Sequence, residues 1–322
     1  MSLIPTIYAS DDPGAPSLTG TAGSFVALLD AILVDGYGTG PTAKAGLGWT
    51  REFTAANKRA YRGNMATASG CYLRVDDTNA RYAWMQAYSA MSDIDTGTDV
   101  APATADRPNG MLWPKSATTD ATSRWWWAIG NERCLYLWIV PAAFPSGTTN
   151  HAGGAPYFFG DLVSIRPNNP YAFAISLTGI TDYTGSNSTT ISYLFGTRTG
   201  SAGQPTIANS VATMVRGIGG GSGSVYLQQG SIVIGTGLSI GNGNVPYPIY
   251  DGGPFVCERA RLWQSGTIPS ARWPGVFAHY HGRPFADLSE VAGLLNKNFH
   301  TESGTVTNGR GQIFFEVGEE WV

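Results

Sequence analysis

Read for hydrophobic spacing, the chain gives one clear helix and then a long succession of strands. Phe25, Leu28, Leu29, Ile32 and Leu33 recur at the interval that lines one side of a helix of period 3.6, which predicts an amphipathic helix over residues 23–34. Thr21 or Ser24 is placed to accept hydrogen bonds from its first amides, and Gly36 stands where a left-handed closing residue is needed. A stripe that wide has to be covered, and the covering surface the rest of the sequence offers is a sheet.

The strand pattern starts at residues 4–9, ended by Asp12-Pro13-Gly14, and resumes with spaced aromatics over 49–61 after an irregular, Gly-rich stretch at 36–48. Residues 71–75 and 81–88 read as a hairpin turning at 76–79, although Trp84, Met85, Tyr88 and Met91 also fit one side of a helix. Residues 101–120 are rich in Pro, Thr and Asn and read as an exposed loop. The clearest hairpin follows, with Arg124-Trp125-Trp126-Trp127-Ala128-Ile129 running into the turn pair Gly130-Asn131 and returning over 133–140. Nearly every position in it is apolar, which predicts strands covered on both faces.

The break at 141–156 divides the pattern into an N-terminal β-lobe, 1–145, carrying the helix, and a C-terminal β-lobe, 146–322, or else the whole is one domain. Beyond it, strands are expected at 157–162, 171–177, 191–195, 255–263, 275–280 and 312–317, with a helical-looking segment at 285–295. Gly and Ser dominate 216–244, a composition for tight turns or long loops. The fold class that results is mainly β: an antiparallel sandwich or barrel-like core, an amphipathic N-terminal helix packed on it, and long Gly-rich loops.

Composition changes this picture in one respect. Charged residues make up 13% of the 322, about half the ~25% of an ordinary soluble domain, while aromatics reach 12% with 10 Trp. Few charges and many aromatics suit a surface that is covered by other subunits. Lys and Arg number 20 against 23 Asp and Glu, so nothing neutralises a phosphate backbone and nucleic acid is not an expected partner. No basic and apolar leader stands at the start, and no apolar run of ~18 residues predicts a membrane helix. Cys71, Cys134 and Cys257 are odd in number and lie in apolar runs, the pattern of buried free thiols in a protein made in a reducing cytoplasm.

Several stretches carry a resemblance: Ala9-Ser10-Asp11-Asp12-Pro13-Gly14-Ala15-Pro16, Leu18-Thr19-Gly20-Thr21-Ala22-Gly23-Ser24, Leu28-Leu29-Asp30, and Leu33-Val34-Asp35-Gly36-Tyr37-Gly38. Gly46 to Trp49, Met91-Ser92-Asp93-Ile94-Asp95-Thr96-Gly97, Trp113-Pro114-Lys115-Ser116 and Phe158-Phe159-Gly160-Asp161 belong with them. Over roughly its first half the chain resembles a family of tailed-bacteriophage virion proteins. That resemblance implies a structural part of the virion, in the tail or its baseplate, and brings no active site with it. The expected partners are other virion proteins and further copies of this chain. The alternative is a module on the same particle that binds a host receptor or glycan. The expected location is the virion, after synthesis in the host cytoplasm.

Motifs for chemistry are weak, and no catalytic, cofactor-binding or metal-ligating residue is assigned from them. Gly237-Leu238-Ser239-Ile240-Gly241, with Asp251 and His279 after it, matches a hydrolase elbow in letters. It opens into Asn242-Gly243-Asn244-Val245-Pro246, which starts no helix. Asp93, Asp95, Gly97 and Asp99 alternate like half a calcium loop, yet the glycine falls fifth and Thr104 occupies the twelfth place. His279 and His281 share a strand face but would need His300 or Asp287 as a third ligand. Asp11-Asp12, Asp76-Asp77 and Glu319-Glu320 are adjacent, so their carboxylates point apart on extended chain. Trp125 to Trp127 read as core, and Trp113, Tyr247 and Tyr250 as aromatics available for a sugar. The expectation is therefore a protein without a reaction, metal or cofactor.

Overall fold

The computed structural model describes residues 3–101, 104, 109–141, 155–164, 171–176, 212–216, 222–226, 257–264, 268–282, 290–294, 297–302 and 310–321. In chain order they form β1 (Thr6–Ala9), helix α1 (Ser24–Leu29), β2 (Thr50–Ala55), β3 (Lys58–Arg62), β4 (Tyr72–Asp76), β5 (Tyr82–Tyr88), β6 (Ala90–Asp93), β7 (Thr96–Thr98), β8 (Met111–Pro114), β9 (Trp125–Gly130) and β10 (Cys134–Val140). There follow β11 (Ala155–Ser164), β12 (Tyr171–Ser176), β13 (Ala212–Arg216), β14 (Ser222–Tyr226), β15 (Cys257–Gln264), β16 (Ile268–Gly282), β17 (Glu290–Leu294), β18 (Lys297–Glu302) and β19 (Arg310–Val317). The protein is mainly β, and every ladder among these strands is antiparallel.

The tryptophan-rich hairpin is the middle of the larger sheet, which runs β1-β9-β10-β11-β16-β19-β18-β17 and branches to β12, β13, β14 and β15. Side chains alternate across it. Trp126, Ala128, Leu135, Leu137 and Ile139 enter one buried core, while Trp127, Ile129, Cys134, Tyr136 and Trp138 enter another on the opposite face. Both faces are covered, as a continuous apolar run requires. The turn differs from the expected two-residue one. Gly130 pairs with Leu135, and Asn131 Oδ1 accepts from the amides of Arg133 at 2.9 Å and Cys134 at 3.3 Å, so an Asx turn spreads the reversal over the next four residues. Strands from both sides of residue 145 share this sheet: Cys134 pairs with Gly160 and Ile139 with Ala155. At Gly160, φ is +130°, and a Cβ there would lie 2.4 Å from the carbonyl oxygen of Arg133, so only glycine fits.

The second sheet runs β2-β3-β4-β5-β8. Its inner positions, Tyr61, Leu73, Val75, Ala83, Met85, Ala87, Met111 and Trp113, meet Trp126, Leu137 and their neighbours in one core. Helix α1 lies in that core. Phe25, Leu28, Leu29, Ile32 and Leu33, the five stripe residues, are all fully buried, and each contributes about 1.5–3 kcal/mol by leaving water. The helix changes character midway: residues Asp30–Asp35 form a π-helix, closed by the amide of Gly36 donating to Ala31 at 2.8 Å. Gly36 has φ 76° and ψ 179°, a region open essentially to glycine alone rather than the expected left-handed turn.

Neither Thr21 nor Ser24 caps the helix. The Ser24 hydroxyl donates to the carbonyls of Thr19 and Thr21, so its oxygen is turned away from the amides. Asp77, in the turn between β4 and β5, caps it instead, accepting from Phe25 N at 2.7 Å and Val26 N at 3.3 Å. Its other oxygen pairs with Lys115 Nζ. Both side chains have no solvent exposure. Lys115 also donates to the carbonyl of Thr21 at 2.6 Å, and the amide of Gly23 donates to the carbonyl of Asp77 at 3.0 Å.

Three more expectations change. Within 101–120, Met111–Pro114 form strand β8, with Lys115 and Ser116 buried behind it; the Pro, Thr and Asn around them hid four strand residues. Within 285–295, Glu290–Leu294 are strand β17, paired with β18, because sheet pairing overrides a helical spacing of apolar residues. Residues 82–88 are strand, settling that ambiguity. The expected strand at 191–195 and most of 141–156 and 216–244 lie outside the described residues. No helix of the described residues is long and apolar enough to cross a membrane.

Leu29→Asp should prevent soluble expression, because it sets an unpaired charge in a fully buried site at a cost of several kcal/mol. Normal yield with an unchanged melting temperature would contradict the packing of α1. Lys115→Met should cost about 3–5 kcal/mol by stranding the buried carboxylate of Asp77. Burial already pushes Asp77 up to about 6 against the pull of Lys115 and the two amides, and removing the ammonium raises it further. A carboxyl raised in the folded state gives stability that is complete below its unfolded pKa and lost as pH rises through the folded one. The melting deficit of Lys115→Met should therefore shrink on acidification from about pH 7 towards about pH 4. A deficit that grows over this range would show that Asp77 is not the group left unpaired.

Candidate functional site

Most of the motifs noted in the sequence come apart in the fold. Asp93 accepts from the amide of Ile94, and Asp99 from the hydroxyl of Ser89, while Asp95 turns to Arg74 and Lys58. Their carboxylates converge on no common point. Asp12 binds Lys44, the Tyr37 hydroxyl and the amide of Ala9; Asp76 and Asp77 face opposite ways, one to Lys58 and Arg74 and the other into the core. His279 lies on β16 opposite Gln312, and His300 on β18 opposite Phe315, three residues along β19, or about 10 Å of strand. Ser239, Tyr247, Tyr250, Asp251 and Asp287 lie outside the described residues. Among the described residues no cluster of His, Cys, Asp and Glu is arranged to hold a metal. Cys71 and Cys134 are buried and form no disulfide; burial, with Asp161 beside it, pushes the Cys134 thiol well up, which suppresses the reactive thiolate.

Trp113 is a correction. It is buried rather than available, stacked on Tyr157 with ring centroids 4.4 Å apart, because it sits on the inner face of β8. Of the three tryptophans expected in the core, Trp126 and Trp127 are buried, one in each core, while Trp125 is only partly buried against the second.

A recess lies on the outer face of the five-stranded sheet. Alternation sends Ala83, Met85 and Ala87 of β5 into the core and leaves Tyr82, Trp84, Gln86 and Tyr88 on the outer face, beside Tyr72, Arg74 and Asp76 of the neighbouring β4. The small hairpin β6–β7 folds over part of this face and packs Met91 and Ile94 against Ala60, Tyr72 and Tyr88. A cleft of about 200 Å³ remains beside it, with Arg74, Gln86 and Tyr88 in its lining, Trp84 at its side and the exposed Thr104 and Asn109 at its rim.

Electrostatics hold the cleft in one shape. Arg74, with its side chain 9% exposed, donates from Nε to the carbonyl of Ile94 at 3.0 Å and to Asp95 at 2.9 Å. Its Nη1 donates to Gln86 Oε1 at 3.2 Å, and its Nη2 to Asp76 at 3.3 Å and to Asp95. Lys58 Nζ bridges the same two carboxylates at 3.3 and 3.1 Å. Burial pulls the pKa of Asp95 up, but Arg74 and Lys58 outweigh it and hold it below the usual value. Asp76 is also held low against burial, by Thr78 and the same two cations. The Gln86 oxygen further accepts from the Tyr88 hydroxyl at 3.2 Å. Trp84 is half-buried and meets Tyr82 edge to face at 5.5 Å.

Sequence reasoning placed β5 but not this recess. The signal was the period-2 alternation itself, in which the polar-aromatic set Tyr82, Trp84, Gln86 and Tyr88 is too apolar for a plain solvated face and too polar for a core. The chain matches no protein-family model, and no curated protein matches it.

Proposed function

We propose that this chain is a structural component of a tailed-phage virion, placed in the tail or baseplate, that works through contacts with neighbouring subunits and catalyses no reaction. The reading rests on the virion-protein resemblance of the first half, and one observation carries it further, the scarcity of free charge. Only 13% of residues are charged, and many of those are used internally: Lys44, Arg51, Lys58, Arg59, Arg74, Lys115 and Arg124 all pair with aspartates of the same chain. A chain so poor in charge, with many of its cations already paired, is poorly suited to staying dispersed as a lone monomer and well suited to being covered. A second reading, a glycan-binding module on the same particle, is favoured by the cleft beside Trp84.

A standard interface covers about 800 Å² per partner, and a virion component with several neighbours should bury several such patches. Electron-microscopy maps of purified particles are expected to show this, with at least one patch involving residues 217–230, a stretch expected as loop in which Ser222–Tyr226 form strand β14 instead. A subunit held by one small contact and otherwise facing solvent would overturn the assembly reading. Ser239→Ala should leave particle yield and infectivity unchanged, because the sequence after Ser239 cannot supply the helix a hydrolase elbow needs. Esterase turnover by the purified protein that disappears in this variant would restore a catalytic role.

A further inference from the structure

We infer that the cleft beside Trp84 is a binding site for one neutral sugar ring, with the indole as its stacking platform. The inference deepens the glycan-binding reading and does not depend on the assembly one.

Four observations point to that ligand class. First, Trp84 is half-buried and braced edge to face by Tyr82 at 5.5 Å. A braced indole in the lining of a recess is the kind of ring that stacks on the apolar C–H face of a pyranose, and burying it gives up little side-chain freedom. Second, the polar groups around it are planar and multidentate: the guanidinium of Arg74, the carboxylates of Asp76 and Asp95, and the amides of Gln86 and Asn109. Adjacent hydroxyls on a sugar, each both donor and acceptor, are met by such groups in pairs.

Third, the charges close on themselves. Arg74 and Lys58 supply two positive charges, Asp76 and Asp95 two negative ones, and all four are joined by contacts of 3.3 Å or less. Among the described residues of the cleft no cation is left over to hold a phosphate or a uronic acid, and each carboxylate that would hold a metal is already engaged by a cation. A neutral, hydroxyl-rich ligand is what remains. Fourth, the volume is about 200 Å³, below the ~300–1,000 Å³ of pockets that enclose drug-sized molecules, so the cleft takes one ring, as a free sugar or as a residue of a longer glycan. Arg74 is pinned by Ile94, Gln86, Asp76 and Asp95 before any ligand arrives, so the ordering cost on binding is small.

The test is saturation-transfer NMR on the purified full chain with methyl glycosides of glucose, galactose, mannose and N-acetylglucosamine, each beside glucuronic acid. Intact neutral polysaccharides, dextran and mannan, form a second arm. At least one neutral glycoside should bind saturably, with a dissociation constant on the order of 1 mM and transfer strongest at ring C–H protons, and should bind more tightly than the uronic acid. Trp84→Ala should weaken it by at least about tenfold, and Trp84→Phe by less, with melting temperatures showing that both variants are folded. Asn109→Ala, at an exposed rim position, tests the site again without risk to the core and should also weaken binding. A polysaccharide that binds when no glycoside does, and is lost with Trp84→Ala, identifies the polymer-borne ring as the ligand and supports the site. Polysaccharide binding unchanged in Trp84→Ala would overturn this site while leaving a glycan-binding role elsewhere on the chain. Absence of binding by every probe, or preference for the uronic acid, would overturn the inference.

Discussion

Two charges with no solvent exposure, Asp77 and Lys115, set the geometry of the N-terminal half. Burying a pair like this gives no assured stability, since desolvation offsets most of the attraction. What the pair does here is fix positions. Asp77 reaches the first amides of the helix, its backbone holds Gly23 and, through its own amide, the carbonyl of Asn57, and Lys115 ties the end of β8 to Thr21. Helix start, β2–β3 turn, β4–β5 turn and β8 end thus meet around one carboxylate. A helix with a Gly N-cap and no side-chain cap of its own would fray without it.

From that junction the packing follows. With its first turn anchored, α1 presents Phe25, Leu28 and Leu29, and the π-helical continuation presents Ile32 and Leu33, to the space between the two sheets. Asp30, where the helix widens, is held by Arg51, Arg59 and the Tyr61 hydroxyl from the second sheet. A second buried cation repeats the device near the segment before β9: Arg124 gathers Ser116, Thr118, Asp120 and the carbonyl of Thr122, while its amide joins Leu18. Segments that read as loops by composition are therefore ordered by a few charged side chains turned inward.

This division explains what the sequence revealed. The helical stripe, the apolar hairpin of β9 and β10, and the pairing of β4 with β5 were legible because each is a local period, written within a dozen residues. The cap on α1 was not, since Asp77 acts across 52 positions and the nearby Ser24 is an equally good candidate on spacing alone. Strand β8 was lost because four residues, Met111–Pro114, are outvoted by the Pro, Thr and Asn on either side. The helical reading of 285–295 failed over Glu290–Leu294 through pairing with β18, which begins only three residues on, at Lys297, just beyond that stretch. For the cleft, half the information was present: the alternation of Tyr82, Trp84, Gln86 and Tyr88 could be read. The closing of Asp95 from the β6–β7 hairpin onto Arg74 could not, because it is a tertiary contact between residues of unremarkable type.

The same economy links the interior to the surface. A chain with so few charges, many of whose cations are paired with its own aspartates, has little charge to spare for steering a charged partner. Recognition then falls to shape, aromatic faces and neutral hydrogen-bonding groups, which act at contact and are little affected by salt. The proposed assembly surface and the charge-balanced cleft proposed for an uncharged ligand would both express that constraint. The cleft opens on the outer face of the five-stranded sheet, while the helix and the core between the two sheets pack against its inner face, so occupation of the cleft leaves that core untouched.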